Sequence, residues 1–398
     1  MQRIIHSKFI KIILIILVGI YSGYAMYTIE NWLKYAALVV TIPVACLLFS
    51  YEKKITDSLL FLVVFFAILF LTMAVNLFEG ITTYFLLAGL IFIAYGISRS
   101  YDFNGFVNLF LNLMTIIALL GLVGYILVNY THVLDNLPLK ANSNDVEYAC
   151  GYIFFYIPII KERNCGVFWE PGLFATFLIL AIVFEAAFKK KKTSWLRIIL
   201  FSITTLTTQS SAGYILLLLS FFFALAFKFN RTPNGVGKLF VSLGIFGVLF
   251  VMIFLNFIIK NTSLAENEYF SKLLFENFLE ASRVKAIFHN FEVFLKNPVF
   301  GAGFQTALDS TAYVSDTSTT TYILSVFGFL GIFHLFMIIL GIVRIKNMNV
   351  IAKVTLFLII FLTINKEPHL FNLFTWIILF YFVSGVNCQK ENLPLNNG

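Results

Sequence analysis

Charge is what this chain has least of. Only 12% of its 398 residues are Asp, Glu, Lys or Arg, against 60% apolar residues and a mean hydropathy of +0.90. That balance excludes a soluble globular domain and a disordered chain alike. Cysteines number four; Cys150 and Cys165 share one stretch between apolar runs, where an oxidising compartment would allow a disulfide, but a pair fits no metal-site spacing. No Walker loop, His-Glu-x-x-His or Gly-rich dinucleotide signature occurs, so energy from a soluble nucleotide is not implied. Heptads, low-complexity tracts and internal repeats are also missing.

What the chain has instead is long apolar runs. A helix crossing the ~30 Å hydrocarbon layer needs about 20 mostly apolar residues. Segments that qualify lie near residues 9–28, 32–50, 59–78, 81–98, 108–129, 168–188, 194–209, 212–228, 239–259, 320–343, 351–365 and 370–386. The expected fold is therefore an all-α integral membrane protein of about 12 transmembrane helices, ten if the short runs at 194–209 and 351–365 fail. The first run follows a basic start but is long and ends in a poor cleavage site, so it reads as a retained helix. Forty-eight phenylalanines and eighteen tyrosines suit lipid-facing and interfacial positions.

Lysine and arginine orient the chain, because short cytoplasmic loops retain positive charge during insertion. The pattern that includes Arg99, Lys189 to Lys192, Arg231, Arg344 and Lys346 puts 18 of 28 basic but only 5 of 20 acidic residues inside. The net charge of +8 and pI near 9.1 follow from this bias, and nucleic acid is not an expected partner. The resulting organisation has N-terminal transmembrane helices at 1–129, a first outer loop at 130–167, central helices at 168–259, a large outer loop at 260–319, C-terminal helices at 320–388 and a cytoplasmic tail at 389–398. In the second loop Phe270, Leu273, Leu274, Phe278, Ala281, Val284, Phe288, Phe291 and Leu295 recur at three- and four-residue steps. That spacing predicts one or two amphipathic helices lying in the interface as a lid, ended by Asn297-Pro298 and the turn Gly301-Ala302-Gly303.

The run Arg163-Asn164-Cys165-Gly166-Val167-Phe168-Trp169-Glu170-Pro171-Gly172 crowds ionisable residues at the outer mouth of an apolar segment. Lipid tolerates such residues poorly, which makes them functional candidates. Glu170 before Pro171 also suits a helix start, where the macrodipole favours negative charge and proline fits the first turn. Thr204 to Ser211 supplies hydroxyls and the Gln209 amide at the same side, groups that could bind sugar or simply satisfy backbone where helices break. Trp169, Tyr152 and Phe168 could lie against sugar faces.

Arg-x-x-Gly-x-Phe-x-Glu-Pro-Gly at a helix entrance, the Thr/Ser turn ahead of Gly213, and Asn-Pro-x-x-Gly-x-Gly-Phe over 297–304 together resemble the O-antigen polymerase and ligase superfamily, over roughly residues 163–386. The resemblance implies a GT-C-like membrane glycosyltransferase of the Wzy type. Such an enzyme joins oligosaccharide repeat units carried on undecaprenyl diphosphate into O-antigen, capsule or a similar surface polysaccharide, at the outer face of the cytoplasmic (inner) membrane and without a metal or cofactor. Its implied partners are that lipid-linked oligosaccharide, the bilayer, a chain-length regulator and a flippase.

Arginines in both outer loops are essential in that family, which carries a catalytic role to Arg163 and Arg283. The chemistry agrees, since a guanidinium stays protonated and its fork of donors matches the oxygens of a departing diphosphate. Glu170 is the candidate orienter of Arg163 or the base for the acceptor hydroxyl. Gly166, Trp169, Gln209, Ser210, Gly301 and Gly303 are candidate substrate-binding positions. Where the ligase branch carries a histidine base, this chain reads Ser315-Asp316-Thr317-Ser318-Thr319-Thr320-Thr321, making Asp316 the first substitute and His289 and His369 outer-side alternatives. His334 reads as a helix–helix contact. A ligase is the closest alternative, and a lipid-linked oligosaccharide flippase or other transporter, with ionisable residues at the midplane on broken helices, is the alternative of another class.

Overall fold

The computed structural model describes residues 8–30, parts of 32–43, and residues 57–131, 133–142, 145–151, 153–189, 193–229, 282–309 and 318–388. The expected span at 239–259, the lid over 260–281, Tyr152 and Asp316 lie outside the described residues, as does the side chain of Arg283.

In chain order the helices are α1 (Lys8–Ile20), α2 (Ala25–Ile29), α3 (Asp57–Val75), α4 (Ile81–Ser100), α5 (Phe103–Tyr130), α6 (Pro171–Ala187), α7 (Trp195–Thr207), α8 (Ser211–Phe229), α9 (Ser282–Lys296), α10 (Gly303–Asp309), α11 (Thr319–Phe327), α12 (Ile332–Arg344), α13 (Val350–Lys366) and α14 (Leu373–Val383). Among the described residues four helices are long and apolar enough to cross a bilayer, Ser58–Val75, Ile81–Ser100, Phe103–Tyr130 and Thr319–Arg344. The chain is thus mostly helical and reads as a multi-pass membrane protein, but the described residues show four such spans where the sequence suggested about twelve over the whole chain. Hydropathy alone overlooks where helices stop. Pro171–Ala187, Trp195–Thr207, Ser211–Phe227 and Leu373–Val383 are apolar but short, and the first run is cut by a turn at Ser22-Gly23.

All-α is corrected too. Between α5 and α6 lies a small antiparallel sheet in the order β1 (Leu139–Ala141), β2 (Glu147–Cys150), β3 (Phe155–Tyr156). Ala149 sits opposite Leu139 on one side and Tyr156 on the other. Strands of two to four residues are too short to show a period of two in the sequence.

Two helices form the centre. Every residue of α6 except Ala186 is buried, and every residue of α14 except Thr375. A helix that is apolar all round must be covered all round, and α6 packs on α5, α7 and α8 while α14 packs on α4 and α12. Phe374 of α14 joins them, 4.5 Å from Phe110, 5.3 Å from Phe177 and 6.2 Å from Phe184 between ring centroids. Buried aromatic pairs at such distances add about 0.5–1.5 kcal/mol each beyond their area.

The run expected as one span over 320–343 is broken. At Gly328, with φ 62° and ψ −145°, α11 gives way to a 3-10 turn before α12 begins. The Asn-Pro-x-x-Gly-x-Gly stretch fills the break: Phe329 N donates to Pro298 O (2.7 Å) and Ala302 N to Ser325 O (2.8 Å). Backbone groups freed inside a membrane protein must find such partners. A Cβ at Gly301 would fall on the Val326 carbonyl, so this glycine is required by backbone packed on backbone.

α9 ends just before Asn297-Pro298, as the spacing predicts. Its two sides differ in part from the expectation. Val284, Ala286, Asn290, Val293 and Phe294 are buried, with Asn290 Nδ2 donating to Thr321 Oγ1 of α11 (3.3 Å), whereas Phe288, Phe291 and Leu295 of the expected apolar face are exposed. Of that face only Val284 is covered among the residues whose side chains are described, and its remaining rings and Leu295 face away from the bundle.

Candidate active site at the start of the central helix

The stretch from Arg163 to Glu170 leads into the start of α6. Residues 163–166 dock on the Thr-rich turn after α7. Arg163 Nε donates to Thr208 O (3.3 Å), Asn164 N to Thr207 O (3.0 Å), Asn164 Nδ2 to Thr207 Oγ1 (2.9 Å) and Gln209 Nε2 to Glu162 O (3.0 Å). The stretch 162–164, with Arg163, and the turn at 207–209, with Gln209, are thus joined. The hydroxyls of Thr204, Thr205, Thr207 and Thr208 donate to carbonyls three or four residues back, the usual fate of threonine inside a helix. Ser210 Oγ accepts from Gly213 N (3.3 Å) at the start of α8.

Gly166 and Phe168 shape this loop from within. Gly166 takes φ 58°, and a Cβ there would press on the Phe174 ring. Phe168 is buried and stacks on Phe174 and Phe177 at 5.4 and 4.9 Å, so its ring belongs to the core and not to a sugar platform. Trp169 stays half-buried; its N–H donates to Gly23 O (3.1 Å), and its carbonyl accepts from Tyr148 Oη of β2 (2.8 Å). Burial, with the Cys165 and Glu170 groups adding, pushes the Tyr148 phenol up from its ordinary range. Cys150 and Cys165 are free, buried thiols, Cys165 Sγ donating to Phe155 O (3.2 Å), and burial raises Cys165 to about 12.

Glu170 is the N-cap residue of α6, but its side chain makes no capping hydrogen bond. The carboxylate lying at this helix start belongs to Glu367. A Cβ at Gly172 would coincide with Glu367 Oε1, and Lys366 Nζ donates to Gly172 O (2.8 Å). Glu367 is 0% and Lys366 5% exposed. Ionised groups this deep are retained only where charge and hydrogen bonds compensate them. The positive end of the helix dipole does so for the carboxylate, and a carbonyl oxygen does so for the ammonium.

The same strip holds the neighbouring helices. Asn365 Oδ1 accepts from Ser318 Oγ (3.0 Å) and Thr320 N (2.9 Å), Thr319 Oγ1 donates to Glu367 O (3.3 Å) and accepts from His369 N (2.8 Å), and His369 Nδ1 lies 2.9 Å from Thr375 Oγ1. Burial, with the Lys366 charge adding, lowers His369 to about 3, so its ring is neutral. Its Nε2 has no hydrogen-bond partner among the described residues, nor have the hydroxyls of Thr176, Thr320 and Thr363, all within a turn of these groups. Buried polar atoms left over in this way mark where water or a polar ligand is accommodated. Sequence reasoning weighed His369 but passed over Lys366 and Glu367, although three ionisable residues within four positions between two apolar runs were a visible signal.

Other expected site residues lie apart. Gly301 and Gly303, at φ 72° and 73°, belong to the plug in the broken helix, Gly303 facing Asn76. His334 is buried in α12 against Trp376 at 5.3 Å. Arg283 is the second residue of α9. The crevice lined by Arg163, Asn164, Gly166 and Tyr125 holds about 10 Å³, room for one water molecule, so a glycan would have to lie over the mouth instead of inside it. Comparisons with family models, curated proteins and solved structures find no match for this chain.

Proposed function

We propose that this chain is a membrane glycosyltransferase that polymerises undecaprenyl-diphosphate-linked oligosaccharide repeat units into a surface polysaccharide at the outer face of the cytoplasmic membrane, with both termini inside. One observation carries this reading: Arg163 and Glu170 stand at the two ends of one loop, docked on the Thr turn at one end and gripped by buried charges at the other. Held there, Arg163 suits the developing charge of a departing diphosphate. Glu170 is not occupied as a helix cap and suits the proton of the acceptor hydroxyl. Arg283 would supply the second cation from the other outer loop.

The broken helix at Gly328 is the observation that favours a transporter, because transporter sites use half-helix ends. Here, however, those ends are plugged by 298–302, and the buried carboxylates Glu185 and Glu367 sit at helix ends.

Deleting the gene and resolving the surface glycan by gel electrophoresis separates the readings. A polymerase loss leaves a single repeat unit on its acceptor, a ligase loss accumulates lipid-linked polymer, and a flippase loss traps repeat units at the cytoplasmic leaflet. Arg163→Ala is expected to lower polymer by at least ~100-fold while membrane levels of the protein stay normal. Wild-type polymer in that variant would overturn the assignment.

A further inference from the structure

Helix α9 has three sides. Ala286, Asn290, Val293 and Phe294 are buried, and Asn290 Nδ2 holds Thr321 of α11. A second side carries Lys285, Glu292 and Lys296, all exposed, with Lys296 Nζ donating to Glu292 Oε1 one turn away (2.8 Å). Between these two sides the helical period sets Phe288, Phe291 and Leu295, which are exposed as well. Beyond the helix the apolar surface goes on in exposed Val299 and Phe300. A contiguous strip of this kind marks a surface that something covers.

The neighbouring span shows what the cover is. In Thr319–Arg344, one of the helices long and apolar enough to cross a bilayer, Phe329, Ile332, Phe336 and Ile339 recur at three- and four-residue steps and are exposed, the stripe that a span turns to acyl chains. The strip on α9 runs into it: Phe294 meets Phe291 at 5.7 Å and Phe329 at 5.2 Å between ring centroids. Depth agrees. The 26 residues of the span rise ~40 Å, about 10 Å more than the hydrocarbon layer. The nine residues of α11 put the break at Gly328 ~14 Å from the Thr319 end, so it lies within hydrocarbon even with the whole excess at that end. Residues 298–302 close the break from α9, and irregular backbone at such depth is tolerated only when buried in protein. We propose that α9 is a re-entrant helix whose Phe288–Leu295 side is seated in the acyl chains of the bilayer, with its charged side among the headgroups and the following turn inside the membrane. Lys296, nearest that turn, has a stem long enough to carry its ammonium back to the headgroups. Such seating holds whatever reaction the protein performs.

The test is spin labelling of the full-length protein, its four native cysteines replaced by serine, in vesicles of phosphatidylcholine and phosphatidylglycerol. Labels at Phe291→Cys and Leu295→Cys are expected to collide several-fold more with oxygen than with a water-soluble nickel chelate, as a label at Phe336→Cys does, and the ratio is expected to invert at Glu292→Cys. Nickel collisions at 291 and 295 as frequent as at 292 overturn the proposal, because that side then faces water. Weak collisions with both reagents overturn it too, assigning the strip to a second copy where spin–spin broadening accompanies them and to another part of this chain where it does not. If the cysteine-free protein does not fold, Phe291→Trp and Glu292→Trp in the native background replace it. Vesicles of brominated lipid are expected to quench the added fluorescence of the first and spare that of the second, and equal quenching overturns the seating.

Discussion

The two ends of the central helix α6 each bury a carboxylate, and they do so in different ways. At its C-terminal end, Glu185 is 0% exposed; Oε1 accepts from Lys189 Nζ (2.5 Å) and Ser194 N (2.6 Å), and Oε2 lies 3.5 Å from Arg197, which also donates to Asn112 (2.7 Å). Its partners lie within twelve residues, and they fasten the turn between α6 and α7. At the opposite end the carboxylate comes from Glu367, nearly two hundred positions away, alongside a lysine, a neutral histidine and several polar atoms without partners. Partners drawn from one short stretch of chain are what a joint between two helices requires, even though Glu185 Oε2 has no hydrogen bond among the described residues. Charges brought from a distance tie separate parts of the chain together.

The contrast can be broken most severely at Glu185. Glu185→Ala leaves the Lys189 and Arg197 charges without their counter-ion and should destabilise the protein by about 3–5 kcal/mol, read as a lower melting temperature in detergent. Glycan synthesis should fall only as far as the amount of folded protein does. A wild-type melt would show that this end is not a fastening.

At the other end the effect should be smaller and rescuable. Gly172→Ala sets a methyl on the Glu367 carboxylate and should cost about 1–3 kcal/mol through overpacking. Combining it with Glu367→Ala should restore part of that loss, and strict additivity of the two substitutions would show that they do not touch.

The smallest effect is in pH dependence. His369 binds its proton more weakly folded than unfolded, being lowered to about 3 by burial and by the Lys366 charge. Its stabilisation is therefore full above the ordinary histidine range and is lost as pH falls from about 6.5 toward 3. Melting followed between pH 7 and 4 should be flatter for His369→Gln than for the wild type. Parallel curves would show that the imidazole is not held neutral.

How much of this was legible in the sequence depended on range. Pro171-Gly172 announces a helix start and α6 begins at Pro171, because proline's effect is local. The real constraint on Gly172 is Glu367, and nothing near residue 172 encodes it. The 320–343 run looks continuous because hydropathy averages over Gly328, whose backbone region only glycine enters readily. The C-terminal end of α9 was readable from Asn297-Pro298. Which side of it would pack was not, since it is apolar on two sides and tertiary contacts chose Ala286, Val293 and Phe294. In the site, Arg163 and Gln209 were named from type and place; their hydrogen bonds to Thr208 O and Glu162 O link loops more than forty residues apart and could only be seen folded.

The plug at Gly328 makes two distant stretches a single thermodynamic unit. A gap in a membrane helix has no water to turn to, so the 319–344 span cannot reach its final form until residues 298–302 have returned to close it. Insertion of that span is completed by a segment emerging earlier from the ribosome and lying outside the bilayer until then. A lesion at Gly301, which Val326 would meet head-on, will accordingly present as a failure of membrane assembly, although the altered residue belongs to a loop.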